Sequence, residues 1–141
     1  MKKILTLIAF TFLAFNSFGQ SILTDTTKFQ VKVLSNGYKA VLPLECGDGE
    51  TIKNTPVAFL LAKTEASLNE EMLQVLTYQK LNILAKYNCK NTFSWKPSKI
   101  TIYQLSTSTT AMVEGSAENA YGSRGEVTYN FILKNGEFVR F

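Results

Sequence analysis

Hydrophobic positions early in the chain recur at every second residue. Phe29, Val31 and Val33 alternate with Gln30 and Lys32, and Tyr38, Ala40 and Leu42 alternate with Lys39 and Val41. Period two marks strands with one buried face. Asn36-Gly37 stands between the two runs and accepts positive φ at both central positions of a type I′ turn, so the expected register pairs Val33 with Ala40, Val31 with Leu42 and Phe29 with Leu44. After Pro56, the short apolar run Val57 to Leu61 suits a buried strand or an approach to a helix. The period then lengthens. Ser67-Leu68-Asn69-Glu70 forms a capping box, and Glu70 and Glu71 face the positive end of a helix dipole. Leu68, Met72, Val75, Leu76, Ile83 and Tyr87 recur near helical spacing, widened by Leu73, Leu81 and Leu84. One helix of about five to six turns is predicted, ending near Cys89 with Lys86 and Lys90 at its negative end.

Strand signals dominate the remainder. A link from Asn91 to Ser98 contains Trp95 and Pro97, and strands are predicted at 100–105, 109–119, 126–134 and 137–141. Asn135-Gly136 is a second type I′ signal that sets Lys134 opposite Glu137 and Ile132 opposite Val139, while 106–110 and 121–125 are the other reversals. The predicted architecture is α+β and two-layered: an antiparallel β-meander of about 5–7 strands packed on one long α-helix.

The beginning of the chain has a different character. Lys2 and Lys3 precede the apolar run Ile4 to Phe15, and Ser17 and Gly19 are small residues at −3 and −1 of a cleavage after Gly19. That run is shorter than the roughly 20 residues a membrane-spanning helix needs. Residues 1–19 are therefore read as a secretory signal peptide, 20–27 as a polar leader and 28–141 as a single α+β domain. The processed protein, about 120 residues long, is expected to be periplasmic or secreted and no longer an integral membrane protein. Removing Lys2 and Lys3 leaves 13 basic against 11 acidic residues, a net charge of +2 in place of +4. The basic residues are scattered and only Arg124 and Arg140 are arginines, which argues against a nucleic-acid partner.

Export also bears on the two cysteines. Cys46 and Cys89 are the only thiols, and an even count in an exported chain suggests a structural disulfide, which would contribute roughly 4 kcal/mol on a chain-entropy estimate. Two buried free thiols or a redox pair are the alternatives, although the C-x-x-C spacing is missing. The chain has no histidine, which excludes imidazole relays, His-rich zinc sites and histidine pH switches. Glu114 and Glu118 would share a strand face that Glu126 could join, as paired carboxylates would in a glycosidase, but a solvated sheet face looks the same. Cys46-Gly47-Asp48-Gly49-Glu50 lacks the ligand pattern of a calcium loop and reads as a surface turn. No catalytic residues, metal ligands or cofactor are assigned.

Aromatic residues give the better clue to binding. Trp95 lies in the link beside Lys96, and Tyr121 and Arg124 lie at a hairpin tip, so these three are the candidate binding residues; Trp95 could instead plug the helix-to-sheet junction, and Tyr121 could pack back on its hairpin. The stretch Ala117-Glu118-Asn119-Ala120-Tyr121-Gly122 resembles an A-x-N-x-[FY]-G element of uncharacterised small secreted proteins and lipoproteins of bacteria. The resemblance covers 96–131, with Pro97 in the matching link, and departs at Ser123, where those proteins usually carry a second glycine. It implies an exported α+β domain and assigns no activity. Gly122 and Gly125 suit a reversal with positive φ, and Asn119 can hydrogen-bond local backbone.

Together these features favour a small exported, non-catalytic domain that binds a protein or cell-envelope component. A small-ligand carrier or minor enzyme with a pocket between helix and sheet is the alternative, and the apolar inward positions Val31, Val33, Met72, Val75, Leu76 and Ile83 favour a filled core instead. The terminal strand, Phe138 to Phe141, would offer a sheet edge for a homodimer.

Overall fold

The computed structural model describes residues 32–61 and 68–141, with helix side chains described from Thr77 onward. The expected signal peptide, leader and capping box at Ser67 lie outside the described residues. The strands are β1 (Lys32–Leu34), β2 (Gly37–Glu45), β3 (Ile52–Leu61), β4 (Lys96–Gln104), β5 (Thr109–Glu118), β6 (Arg124–Lys134) and β7 (Glu137–Arg140). Helix α1 (Leu68–Asn88) and a 3-10 turn (Thr92–Ser94) separate β3 from β4. The seven strands form one sheet in chain order. This is a sheet-rich α+β domain in which antiparallel pairing predominates.

It is not an uninterrupted meander. β3 and β4 are parallel, with Val57 beside Ile100 and Leu61 beside Gln104. The physical reason is the helix: α1 carries the chain back to the end of the sheet where β3 began, so the next strand starts there too. All three prolines fall within strands, Pro43 in β2, Pro56 in β3 and Pro97 in β4. Pro97 is therefore a buried strand residue, not part of a link. The β3–β4 ladder begins only at Val57 and Ile100, past both Pro56 and Pro97, and the β4–β5 register shifts between Pro97 and Lys99. Prolines are tolerated here because they sit where pairing is one-sided or bulged.

The first hairpin forms with a different turn. Leu34 pairs with Gly37 and Val33 with Tyr38, so Ser35 and Asn36 make the reversal and the register moves by two residues. Gly37 instead opens β2 with φ 149°, pressed so closely on β3 that an added Cβ would overlap the Phe59 carbonyl. Even displacement preserves side-chain parity. Ala40, Leu42 and Leu44 accordingly remain on the buried face. Phe29 and Val31 lie outside the described residues. The last hairpin follows the sequence: Lys134 pairs with Glu137, Ile132 with Val139, and Asn135 and Gly136 both take positive φ, 51° and 82°.

One sheet face carries the core: Ala40, Leu42 and Leu44 from β2, Val57 and Phe59 from β3, Ile100 and Ile102 from β4, Val113 from β5, and Tyr129 and Phe131 from β6 are all buried. α1 meets this side through Tyr78, whose ring lies 6.4 Å from that of Phe59. Among the described helix side chains, Tyr78, Leu81, Asn82 and Ala85 are buried, followed by Cys89, whereas Ile83 and Tyr87 are exposed. The predicted stripe is thus rotated over this half, because a polar residue, Asn82, occupies an inward position and two apolar ones do not.

Candidate functional site

Parallel β3 and β4 start at the same end of the sheet, and β2 and β5 finish there. Three connections consequently gather at that end: the β2–β3 turn, the segment from α1 through the 3-10 turn, and the β5–β6 tip.

The β2–β3 turn is organised by Asp48, whose carboxylate accepts from the Thr51 hydroxyl at 2.7 Å, the Thr51 amide at 2.9 Å and the Glu50 amide at 3.1 Å. Those donors, led by the Thr51 hydroxyl, hold the Asp48 pKa below its ordinary value. The Cys46 amide donates to Thr51 O at 2.8 Å, and the Gly47 amide to Trp95 O at 2.7 Å. Gly47 packs so tightly on the 3-10 turn that a Cβ would overlap the Thr92 carbonyl. The 3-10 turn joins the β5–β6 tip through Ser94, whose Oγ accepts from the Glu118 amide at 2.7 Å and donates to Asn91 O at 2.9 Å. Arg124 adds a clamp: Nη1 donates to Ser94 O and Ser116 Oγ, each at 3.0 Å, and Nη2 to Glu118 Oε1 at 3.1 Å.

The tip carries its own bracing. Asn119 Oδ1 accepts from the Tyr121 amide at 2.9 Å and the Ser123 amide at 3.1 Å, while the Asn119 amide donates to Ser123 O at 2.9 Å. Gly122 supplies φ 78°, which its missing Cβ permits. Gly125, expected in the reversal, belongs to β6 and does not take positive φ. Tyr121, 93% exposed, is held out from this frame.

The three candidate binding residues therefore separate. Tyr121 is at the surface and Arg124 is spent on the clamp beneath it. Trp95 is fully buried, with its indole N–H donating to Asn82 Oδ1 at 2.9 Å and its ring 5.9 Å from that of Tyr129. It plugs the helix-to-sheet junction and is corrected from a surface anchor to a core residue. Phe93, two residues earlier, is 70% exposed, and nothing in the sequence pattern sets it apart. Alternation cannot separate Phe93 from Trp95, because the intervening 3-10 turn, not a strand, decides which ring faces inward.

The cysteines do not form the expected bridge. Both are buried free thiols. Cys46 sits in the β2–β3 connection, whereas Cys89 Sγ lies 3.4 Å from Ala85 O and 3.5 Å from the Tyr129 hydroxyl that donates to it. Burial is the first cause raising both thiol pKa values. That disfavours the reactive thiolate. Burial likewise pushes Tyr129 from 10.0 up to about 12.

Two of the three candidate carboxylates, Glu114 and Glu118, are ion-paired. Glu118 meets Arg124 at 3.1 Å, and Glu114 Oε2 meets Lys99 at 3.2 Å in an ion pair without hydrogen-bond geometry. Glu126 lies opposite Ser116. Among the described residues, no group of three or more cysteine and carboxylate side chains is arranged to hold a metal ion. No helix among them is long and apolar enough to cross a membrane.

Among the described residues, shallow cavities border the helix. One, about 260 Å³, is lined by Pro43, Ile52, Ile83 and the Glu45–Lys86 ion pair, 2.7 Å long. Another, about 270 Å³, is lined by Phe59, Tyr78, Ile102, Leu133 and Phe138 with Thr77, Gln104 and Thr109 among its polar residues. No known protein family, curated protein or solved structure matches the chain.

Proposed function

We propose that the chain is an exported, non-catalytic binding domain for a protein or cell-envelope component, with α1 as a second layer over the core face of the sheet. The observation that carries this reading is Tyr121, a large amphipathic side chain held in solvent by a hydrogen-bonded tip. A rigid exposed aromatic loses little conformational entropy on binding, the condition for an interface anchor. Catalysis is disfavoured by the state of its candidate groups: the thiols are buried with raised pKa values, and Glu114 and Glu118 are ion-paired.

The test compares the processed protein with Tyr121→Ala in capture from envelope and secreted fractions. A partner recovered by the first and lost by the second, at an unchanged unfolding midpoint, supports the reading. Recovery independent of Tyr121 contradicts it. The apolar cavity beside Phe59 and Phe138 favours a second reading as a small-ligand carrier. Native mass spectrometry showing a retained small molecule would put that reading first.

A further inference from the structure

We propose that the outer edge of β6 from 124 to 129 is a strand-addition site, and that it takes an extended segment of a partner protein in which basic and apolar residues alternate. This rests on the reading of the chain as a binding domain and adds the mode of recognition.

β6 outruns the strand beside it. β7 pairs only with Phe131 to Lys134, whereas β5 pairs with β6 as far as Arg124. Among the described residues, no strand lies against the outer side of 124–129. Asn130 fixes which way the backbone points there: its carbonyl accepts from the Phe141 amide at 3.2 Å and so faces away from β5. Backbone groups change side at each residue of a strand, so the N–H and C=O of Thr128 and of Glu126 also face outward. Both residues are exposed. The ligand whose donors and acceptors match that spacing is another extended polypeptide.

Sheets ordinarily blunt an open edge with proline, lysine, a bulge or a covering segment. The part of β2 beyond β1 carries Pro43, which has no N–H to offer an incoming strand. On 124–129 there is neither proline nor lysine, and the β5–β6 register runs without a shift from Thr110 to Glu118. This edge is a regular, uncovered template.

Side chains along the edge specify the segment. Arg124, the cation of this stretch, turns back over β5 to Ser94, Ser116 and Glu118. Glu126 is left exposed and without an ion pair, on the face opposite the core. A residue laid beside it gains most by being basic. On the core face, half-buried Val127 follows buried Tyr129 and offers apolar surface to the alternate positions. A second copy's β6 is a poor match. Its Arg124 is already engaged, and the other antiparallel registers within 124–129 that align outward-facing residues set Glu126 against Glu126 or Thr128. Tyr121 lies three residues before β6, so chain dimensions keep it within about 11 Å of Arg124 and one partner can meet both.

Amide hydrogen exchange and chemical shifts of the nitrogen-15-labelled full chain test this, with an acetylated peptide of alternating valine and lysine as the probe. The expected result is slower exchange at the Glu126 and Thr128 amides when the peptide is added, with shift changes centred on 124–129. Thr128→Pro removes an outward N–H and leaves the β5 ladder whole, so it should weaken peptide binding at least tenfold at an unchanged unfolding midpoint. Val127→Pro, whose N–H faces β5, should instead lower the midpoint, and equal midpoints for the two variants overturn the assigned direction of the edge. A fully N-methylated peptide, which cannot donate to the ladder, and a peptide with glutamate in place of lysine should each bind at least tenfold more weakly to the unaltered chain. No protection at millimolar peptide, or undiminished binding of the N-methylated peptide, overturns the strand-addition site. Undiminished binding of the glutamate peptide overturns the basic segment. Protection at 126 and 128 that needs no peptide and rises with protein concentration assigns the edge to a second copy and overturns the partner segment. A partner lost by Tyr121→Ala but kept by Thr128→Pro removes this site and leaves the binding reading standing.

Discussion

Asn82 shows how one residue can join three elements. Its Nδ2 donates to Glu45 O at the end of β2, and its Oδ1 accepts the indole N–H of Trp95, each at 2.9 Å. Asn82→Ala would leave the buried Trp95 indole N–H unsatisfied, costing about 1–3 kcal/mol, and would also remove the part-buried bond to Glu45 O. Urea unfolding should therefore show a loss of about 2 kcal/mol, and a loss within experimental scatter would contradict the network. Tyr129 makes a second residue-scale prediction. Its folded pKa is raised from 10.0 to about 12, so its contribution is complete below pH 10 and is lost as pH rises towards 12. The buried thiols act in the same direction above pH 9.0. Absorbance titration should reveal a late phenol near pH 12 that is missing in Tyr129→Phe. The sequence could nominate Tyr121 and Arg124 but could not show that Trp95 faces inward, because its partner Asn82 looks like a solvent residue until the fold brings it to the junction. Nor does an even cysteine count reveal that each thiol has separate neighbours.

At the scale of elements, local pattern was the reliable guide and connection geometry was not. Period-two alternation and Asn135-Gly136 specify the β6–β7 register because the turn and the apolar face agree. At the first hairpin they compete. Close approach to β3 claims Gly37 for a strand position, so the turn falls on Ser35-Asn36 instead. Gly37→Ala places a methyl group against the Phe59 carbonyl in a conformation that side chains rarely adopt. It should cost about 2 kcal/mol or more in thermal or urea unfolding, whereas Gly122→Ala, with open space around its Cβ position, should cost less. Equal losses would contradict the assigned role. The parallel β3–β4 pair was illegible for a different reason: it follows from the helix crossing between strands, which leaves no period in either strand.

At the scale of the whole molecule, the topology brings three connections to one end and leaves Tyr121 projecting from their braced junction. Trp95, Asn82 and the two cysteines lie in the interior behind it, so substitutions there should alter stability. The thiols permit a direct check on that interior. Both should react with a thiol reagent after unfolding in denaturant and resist it in the folded protein, and an absence of reactive thiol in denaturant would show a bridge. The proposed binding role requires a tip that holds the Tyr121 backbone in one position. Amide nitrogen-15 relaxation of residues 119–123 measures this most directly, because a disordered loop and a braced one differ plainly in order parameter. The hydrogen bonds to Asn119 predict a value of about 0.8 or above for the Tyr121 amide, close to rigid backbone, and a value below about 0.6 would contradict a preorganised anchor.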